Sequence, residues 1–347
     1  MAIRAGLIGY GLGGAAFHAP LIATTPGLTL EAIVTTNLER RAQAERAYPG
    51  VRLLSSAEEL FTTPRPVDLV VVTTPNRSHI PLAMSALRAG LPVVIDKPIA
   101  PTSAAARDAI AEAARRGLML TVFHNRRWDG DFLTLRRLLV EGALGDVHRF
   151  ESRYERWRPT GRQNWRELAD PEDAGGLLFD LGSHLIDQAL VLFGPVESIY
   201  AEIDRRRPGT AVDDDVFLAL THRTGVRSHL WMSNGASRGG PAIPRARQPR
   251  RLHEVWSRRA GSCAARRRAA GARLGHRTSG PLGSARRGRR PAAGADRAGR
   301  LSALLRRRRG RARARRSSPV APEDAVHVIE VIERARALTA HGASGTQ

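Results

Sequence analysis

Lysine is almost absent from this chain. Of 55 basic side chains in 347 residues, only Lys97 is a lysine. Cysteine is equally rare: Cys263 stands alone, so no intramolecular disulfide can form. No apolar run approaches the roughly 20 residues that a membrane-spanning helix needs. The N-terminus has no basic leader with an apolar stretch and cleavage site, and passes almost at once into the strand-like Ala5-Gly6-Leu7-Ile8. These absences predict a soluble, cytoplasmic protein without a membrane partner.

The net charge of +22 suggests a nucleic-acid partner, but its distribution argues against one. Ala236 to Ser318 holds 26 arginines, no lysine and only two acids, Glu254 and Asp296, and so carries +24. The remainder has 29 basic and 31 acidic side chains, the balance of an ordinary enzyme. Nucleic acid is therefore not the expected partner.

Residues 1–123 alternate β-branched runs with helical stretches. Strands are expected at Ile3 to Ile8, Leu30 to Val34, Leu53-Leu54, Val67 to Val72, Pro92 to Ile95 and Met119 to Phe123. Helices are expected through Leu21 and Ile22, at Ala57 to Leu60, Ile80 to Ala89 and Ser103 to Arg116. Continuous apolar strands separated by helices are the pattern of a doubly wound parallel sheet, an α/β Rossmann domain. From residue 124 to about 340 the texture differs. Helices at Phe132 to Glu141 and Leu178 to Leu192 accompany strands at Val147 to Tyr154, Val196 to Ile203, Val216 to Thr221 and Val226 to Met232. Successive strands without helices between them predict an α+β domain with an open, mainly antiparallel sheet.

Residues 236–318 break this pattern, being Arg, Ala, Gly, Pro and Ser with no steady period. A basic tail, a disordered insertion and a compensated frameshift in a GC-rich gene all fit the composition. The frameshift is favoured, because periodic sequence resumes with a helix opened by Pro322, Glu323 and Asp324, where Val328, Ile329, Val331 and Ile332 supply apolar positions.

Gly9-Tyr10-Gly11-Leu12-Gly13-Gly14 matches G-x-G-x-x-G between the first strand and a helix. Gly9 permits the tight turn, Gly11 lets backbone approach a pyrophosphate, and Gly14 allows close helix–strand packing. The helix N-terminus then offers N–H groups to the phosphates. The second strand ends Val34-Thr35-Thr36-Asn37, with Arg40 and Arg41 beyond and no acid at its tip. A NAD site usually carries an acid there, whereas hydroxyls and arginine suit a 2′-phosphate. NADP(H) is thus the preferred cofactor, with NAD(H) the alternative.

Asp96, Lys97 and Pro98 end the fifth strand, at the sheet edge where open α/β folds bind ligands. Pro98 biases Lys97 toward extended backbone, which aims its side chain. Arginine cannot release a proton near neutral pH and lysine can, so one lysine among 54 arginines at this edge suggests ammonium chemistry. Asp180 and His184 are four residues apart, on one face if helical. A histidine can relay a proton and a carboxylate can orient it. Equally, the pair could be a capping Asp and a packed core His.

These residues together resemble the glucose–fructose oxidoreductase/inositol dehydrogenase (Gfo/Idh/MocA) family. The matching motifs are GYGLGG, TTPNRSH at Thr73 to His79, DKP where EKP is commoner, and GGLLFDLGSHLIDQAL. HNRRWDGDF at His124 to Phe132, with ERWRP and NWRE, is similar to the NADP-dependent scyllo-inositol dehydrogenase-like branch. The resemblance covers residues 2–235 and 319–340. It implies that Lys97, Asp180 and His184 form the catalytic set, with His184 as general acid/base, Lys97 polarising the substrate oxygen and Asp180 positioning. It further implies that Thr74, Pro75, Asn76 and His79 lie against the cofactor, together with Asp96. Arg126, Arg127 and Trp128 either face a sugar or polyol substrate or join the domains. The family is commonly homo-oligomeric through its second sheet, which the arginine-rich segment puts in question. The expected function is hydride transfer between a nicotinamide cofactor and a sugar or cyclitol hydroxyl. A non-catalytic nucleotide- or nucleic-acid-binding protein, or an inactive frameshifted product, are the alternatives.

Overall fold

The computed structural model describes residues 2–62, 66–161, 164–236 and 318–343. Nearly all of the arginine-rich stretch, with Cys263 and the frameshift reading, lies outside the described residues.

Six strands form a wholly parallel sheet: β1 Ile3–Ile8, β2 Leu28–Val34, β3 Arg52–Leu54, β4 Leu69–Val72, β5 Val93–Asp96 and β6 Leu120–Phe123, in the order β3-β2-β1-β4-β5-β6. The sequence explains the burial. β4 is Leu-Val-Val-Val with every residue buried, as a strand covered by helices on both faces must be. Those covers are α1 Ala19–Thr24, α2 Leu38–Ala47, α3 His79–Arg88 and α4 Ser103–Arg115. Strand order reverses between β1 and β4, which opens a crevice at their carboxyl ends.

The second sheet contains β7 Arg149–Glu155, β8 Val196–Asp204, β9 Asp215–His222 and β10 Arg227–Ser233, in the order β7-β10-β9-β8. The expected antiparallel character holds for β8–β9 and β9–β10, while β7 pairs β10 in parallel. Burial alternates along β9 and β10, so one face carries Val216, Leu218, Leu220, Leu230 and Met232 into the core. α5 Gly130–Val140 precedes β7, and α6 Ser183–Phe193 precedes β8. The C-terminal helix α7 Pro322–Ala343 follows the undescribed segment and buries Val328, Ile329, Val331 and Ile332 in the same core. Its sequence-predicted start and apolar stripe match those found.

Three local expectations need correction. Ala57 to Leu60 forms only a single 3₁₀ turn, Glu58–Leu60. The helices expected after the glycine loop and after Leu178 both open as wide π turns, Gly14–His18 and Leu178–Gly182, before α1 and α6 begin. Pro171–Phe193 is apolar enough by composition to cross a membrane, contrary to the sequence reading, but most of it is buried inside the protein.

Candidate active site

Both π turns contribute to one cleft of about 200 Å³ at the crevice predicted by strand order, the first through Phe17 and the second through Asp180 and Leu181. Turns of this kind often occur at functional sites. Leu12, Gly13, Phe17, Asp96, Lys97 and Phe123 line its parallel-sheet side. Tyr154, Arg156, Asn164, Arg166, Asp180, His184 and Asn234 line the other.

The glycine loop follows from sterics. Gly9 sits at φ 98°, and a Cβ there would lie 2.8 Å from the Thr73 carbonyl oxygen. A Cβ on Gly14 would run into the Gly9 carbonyl, so the first and last glycines are needed to close the turn. Around Gly11 the space is open, with only Arg40 Nη1 within reach at 3.9 Å. This loop therefore fits a dinucleotide pyrophosphate: backbone is exposed at Gly11, where a ligand would need it. Tyr10 is buried, and Leu12 is exposed at the cleft. Thr73 Oγ1 donates to Gly9 O at 2.7 Å, which ties the loop after β1 to the end of β4.

The arginines after β2 differ in use. Arg41 donates to the carbonyls of Thr35, Leu53 and Leu54 at 3.1–3.2 Å, clamping the ends of β2 and β3. Arg40 gives only its backbone N–H to the Asn37 cap, at 2.9 Å, and its side chain is exposed beside Gly11. Thr35 is buried and Thr36 exposed.

In the loop after β4, Thr74 and Pro75 are turned toward the surface and Asn76 and His79 inward. Asn76 Nδ2 donates to the carbonyls of Asp173 and Ala174 at 3.0 and 3.3 Å. His79 is wedged between two carbonyls, Pro98 O at 2.8 Å from Nδ1 and Thr74 O at 2.9 Å from Nε2. Burial pushes its imidazole pKa down, against the pull of those carbonyls and of Asp96. Both side chains hold backbone in place, His79 bracing the Lys97 loop directly.

Asp96 ends β5. Its Oδ1 accepts from Lys97 N at 2.8 Å, and its Oδ2 lies 3.5 Å from His18 Nε2. Burial favours the protonated carboxyl, but the hydrogen bond and charge of His18, with the charge of Lys97, bring it down to about 2. The Lys97-Pro98 peptide is cis. Lys97 Nζ donates to Asp180 O at 2.6 Å and Asp180 Oδ1 at 3.0 Å. Arg156 and Arg166 each come within 3.5 Å of the same carboxylate. Burial raises the Asp180 pKa, yet Lys97, Arg166 and Arg156 outweigh it and hold the carboxyl far below its usual range.

His184 is buried in the first turn of α6, with Nδ1 lacking a hydrogen-bond partner among the described residues. Burial first, then the charges of Lys97 and Arg126, pushes its pKa well below that of a free imidazole, so the ring is neutral at pH 7. The predicted trio Lys97, Asp180 and His184 is thus brought to one cleft.

Of the two places the sequence leaves open for Arg127, at the substrate or at the joint between domains, it takes the second. It donates to Asp187 at 2.8 and 2.5 Å and to Asp324 at 2.8 Å, joining the turn Asn125–Trp128 to α6 and α7. Its neighbour Arg126 lines the cleft and donates to Tyr154 Oη at 3.1 Å. Tyr154, Arg156, Arg166 and Asn234 were not singled out from sequence. The only signal for two of them was the arginine in ERWRP and in NWRE.

A family model described as an oxidoreductase family with an NAD-binding Rossmann fold matches residues 3–124, and the GFO/IDH/MocA C-terminal domain matches residues 132–247. The uncharacterized oxidoreductase YdgJ of Escherichia coli is 48% identical over 218 residues, covering 63% of this chain and 61% of that protein. The NADP(+)-dependent scyllo-inositol 2-dehydrogenase IolW of Bacillus subtilis is 36% identical over 220 residues, 63% of this chain and 60% of that protein. The chain thus matches about 60% of the length of these curated relatives. Among solved structures, YPO2259 of Yersinia pestis is 33% identical, with a TM-score of 0.73 and coverage of 97% of this chain and 94% of that one.

Proposed function

The chain belongs to the GFO/IDH/MocA oxidoreductase family, and on that premise we propose that it is an NADP(H)-dependent dehydrogenase of sugar or cyclitol hydroxyls. The observation that carries this reading is the use of the Lys97 ammonium. Of its three N–H donors, Asp180 takes two, through its carbonyl and Oδ1. Among the described residues the third has no acceptor, which leaves it for a substrate oxygen in the cleft.

A bound nicotinamide cofactor would accept the hydride from the carbinol carbon, or return it in the reverse direction. Gly9, Gly11 and Gly14 would hold its pyrophosphate, and the exposed Arg40 would meet a 2′-phosphate. Lys97 donates to the carbinol oxygen and stabilises its developing negative charge. His184, neutral and with Nδ1 buried, takes the hydroxyl proton at Nε2. Asp180 keeps the ammonium aimed. The identity of IolW supports a cyclitol such as scyllo-inositol as a first substrate to try.

The test is absorbance of reduced cofactor with the purified chain, NADP(+) or NAD(+), and a panel of inositols and hexoses. Lys97→Ala is expected to lower kcat by about 100-fold or more, the scale of a lost charge-stabilising donor. Equal rates for wild type and variant would refute the assignment.

A further inference from the structure

Three cations converge on the single carboxylate of Asp180. Lys97 Nζ and Arg166 Nε approach the same oxygen, Oδ1, and Arg156 approaches Oδ2. Elsewhere on the cleft wall Arg126 and Arg207 are balanced by Asp129 and Asp214 behind it, so the excess of positive charge lies in this group of three cations on one carboxylate. A wall locally biased in this way suits an anion.

Arg166 is built as a receptor. Its guanidinium stacks on the Trp165 ring at 4.2 Å, which fixes its plane. Its Nε faces Asp180, and among the described residues its two terminal nitrogens donate no hydrogen bond. The side chain is one-third exposed at the cleft. Asn164 and Asn234, which line the cleft, use their carboxamide oxygens on Arg166 N and Arg156 Nε, so the side-chain group each has left over is a donor. Cationic donors left facing the cleft in this way are matched by carboxylate or phosphate oxygens, which accept two parallel N–H groups at once.

We infer that the substrate is an anionic sugar or polyol, its carboxylate or phosphate gripped by the terminal nitrogens of Arg166 with Arg156 alongside. This rests on the dehydrogenase reading above and narrows it. Lys97 and Arg166 share one oxygen of Asp180, so the anionic group is carried close to the reacting carbinol, within a few carbons. The chemistry is the same for either anion: the fork binds two oxygens of one planar or tetrahedral group while Lys97 engages the neighbouring hydroxyl.

The experiment pairs neutral and charged sugars of the same skeleton on the full chain with NADP(+). Glucose is compared with gluconate and glucuronate as carboxylate probes and with glucose 6-phosphate as the phosphate probe. Binding is followed by calorimetry and turnover by reduced-cofactor absorbance. At least one charged sugar is expected to bind about 10–100-fold more tightly than glucose, the scale of a hydrogen-bonded charge pair. Whichever series shows the preference identifies the anion.

In Arg166→Gln the ratio of charged to neutral affinity is expected to collapse by about tenfold or more, and in Arg166→Lys to fall less, because the charge remains and the fork does not. Circular dichroism and melting of both variants report whether the fold is kept. A neutral sugar bound as well as its charged partners overturns the inference, as does an unchanged ratio in a folded Arg166→Gln protein. Charge-selective binding without any turnover would uphold the anion site and overturn the dehydrogenase reading instead.

Discussion

Asp180 holds the Lys97 ammonium at two points of different kind, its main-chain carbonyl at 2.6 Å and its carboxylate at 3.0 Å. Substitution can remove only the second. Asp180→Asn therefore leaves Lys97 tethered through backbone but without a counter-ion, and leaves Arg156 and Arg166 facing it without their shared carboxylate. The expected outcome is a folded protein whose kcat falls by roughly 10²-fold, typical of losing one positioned catalytic group. Unaltered kcat with a raised sugar KM would show instead that Asp180 serves binding alone.

With His184 as the proposed base, the acid limb of the rate profile should report its titration. Its pKa is lowered by burial and by the charges of Lys97, Arg126 and His124, so in the folded protein the ring stays neutral through the ordinary histidine range near pH ~6.5. A neutral ring can accept a proton. Hence kcat/KM for sugar oxidation should stay flat as pH falls through that range and drop only at more acid pH. Arg126→Gln removes one of the charges that lower the pKa. Its acid limb should move to higher pH, toward that of a free imidazole. A pH–rate profile with the same limb in both proteins would assign it to another group.

The parts of this site that were legible in sequence are those encoded locally. The glycine fingerprint works because Gly9 and Gly14 meet within one turn, and Lys97 stood out because its chemistry differs from that of 54 arginines. Pairings across long separations were not legible. Asn76 reaches the carbonyl of Asp173, and Arg127 reaches Asp324, 197 residues away, so neither partner is visible from spacing. Arg156 and Arg166 lie on separate segments that only the fold brings to Asp180. The wide turns at Gly14–His18 and Leu178–Gly182 look like plain helix in sequence, because an apolar period of 3.6 does not distinguish an inserted π turn.

Arg40 and Arg41 are adjacent in sequence and opposite in use, which gives the cofactor preference a clean test. Arg40→Ala should lower the NADP-to-NAD ratio of kcat/KM by about tenfold, the scale of one exposed charge-assisted contact to phosphate, without changing Tm. Arg41→Ala removes donors to three main-chain carbonyls at the ends of β2 and β3, and should lower Tm while leaving the ratio unchanged. The reverse pattern would move the 2′-phosphate contact from Arg40 to Arg41.

The sequence leaves Arg127 either at the substrate or at the joint between domains, and its substitution separates an architectural from a substrate role. Its guanidinium is nearly buried and meets two carboxylates. Burial alone would lower its pKa, but Asp187 and then Asp324 hold it protonated. Asp187 is itself buried, so Arg127→Ala leaves an uncompensated carboxylate in the interior. Breaking such a pair costs roughly 3–5 kcal/mol. It also releases α7, whose Ile329 and Ile332 complete the core and whose Glu333 caps the Ser103 N–H at 2.8 Å. A marked drop in Tm is therefore expected, with Arg127→Lys intermediate because it keeps the charge and loses the fork. Sugar KM, measured below the lowered Tm, should stay within about twofold, since Arg127 does not line the cleft. A variant with wild-type Tm and a sugar KM raised about tenfold would return Arg127 to the substrate, and the joint between the Asn125–Trp128 turn, α6 and α7 would then need another explanation.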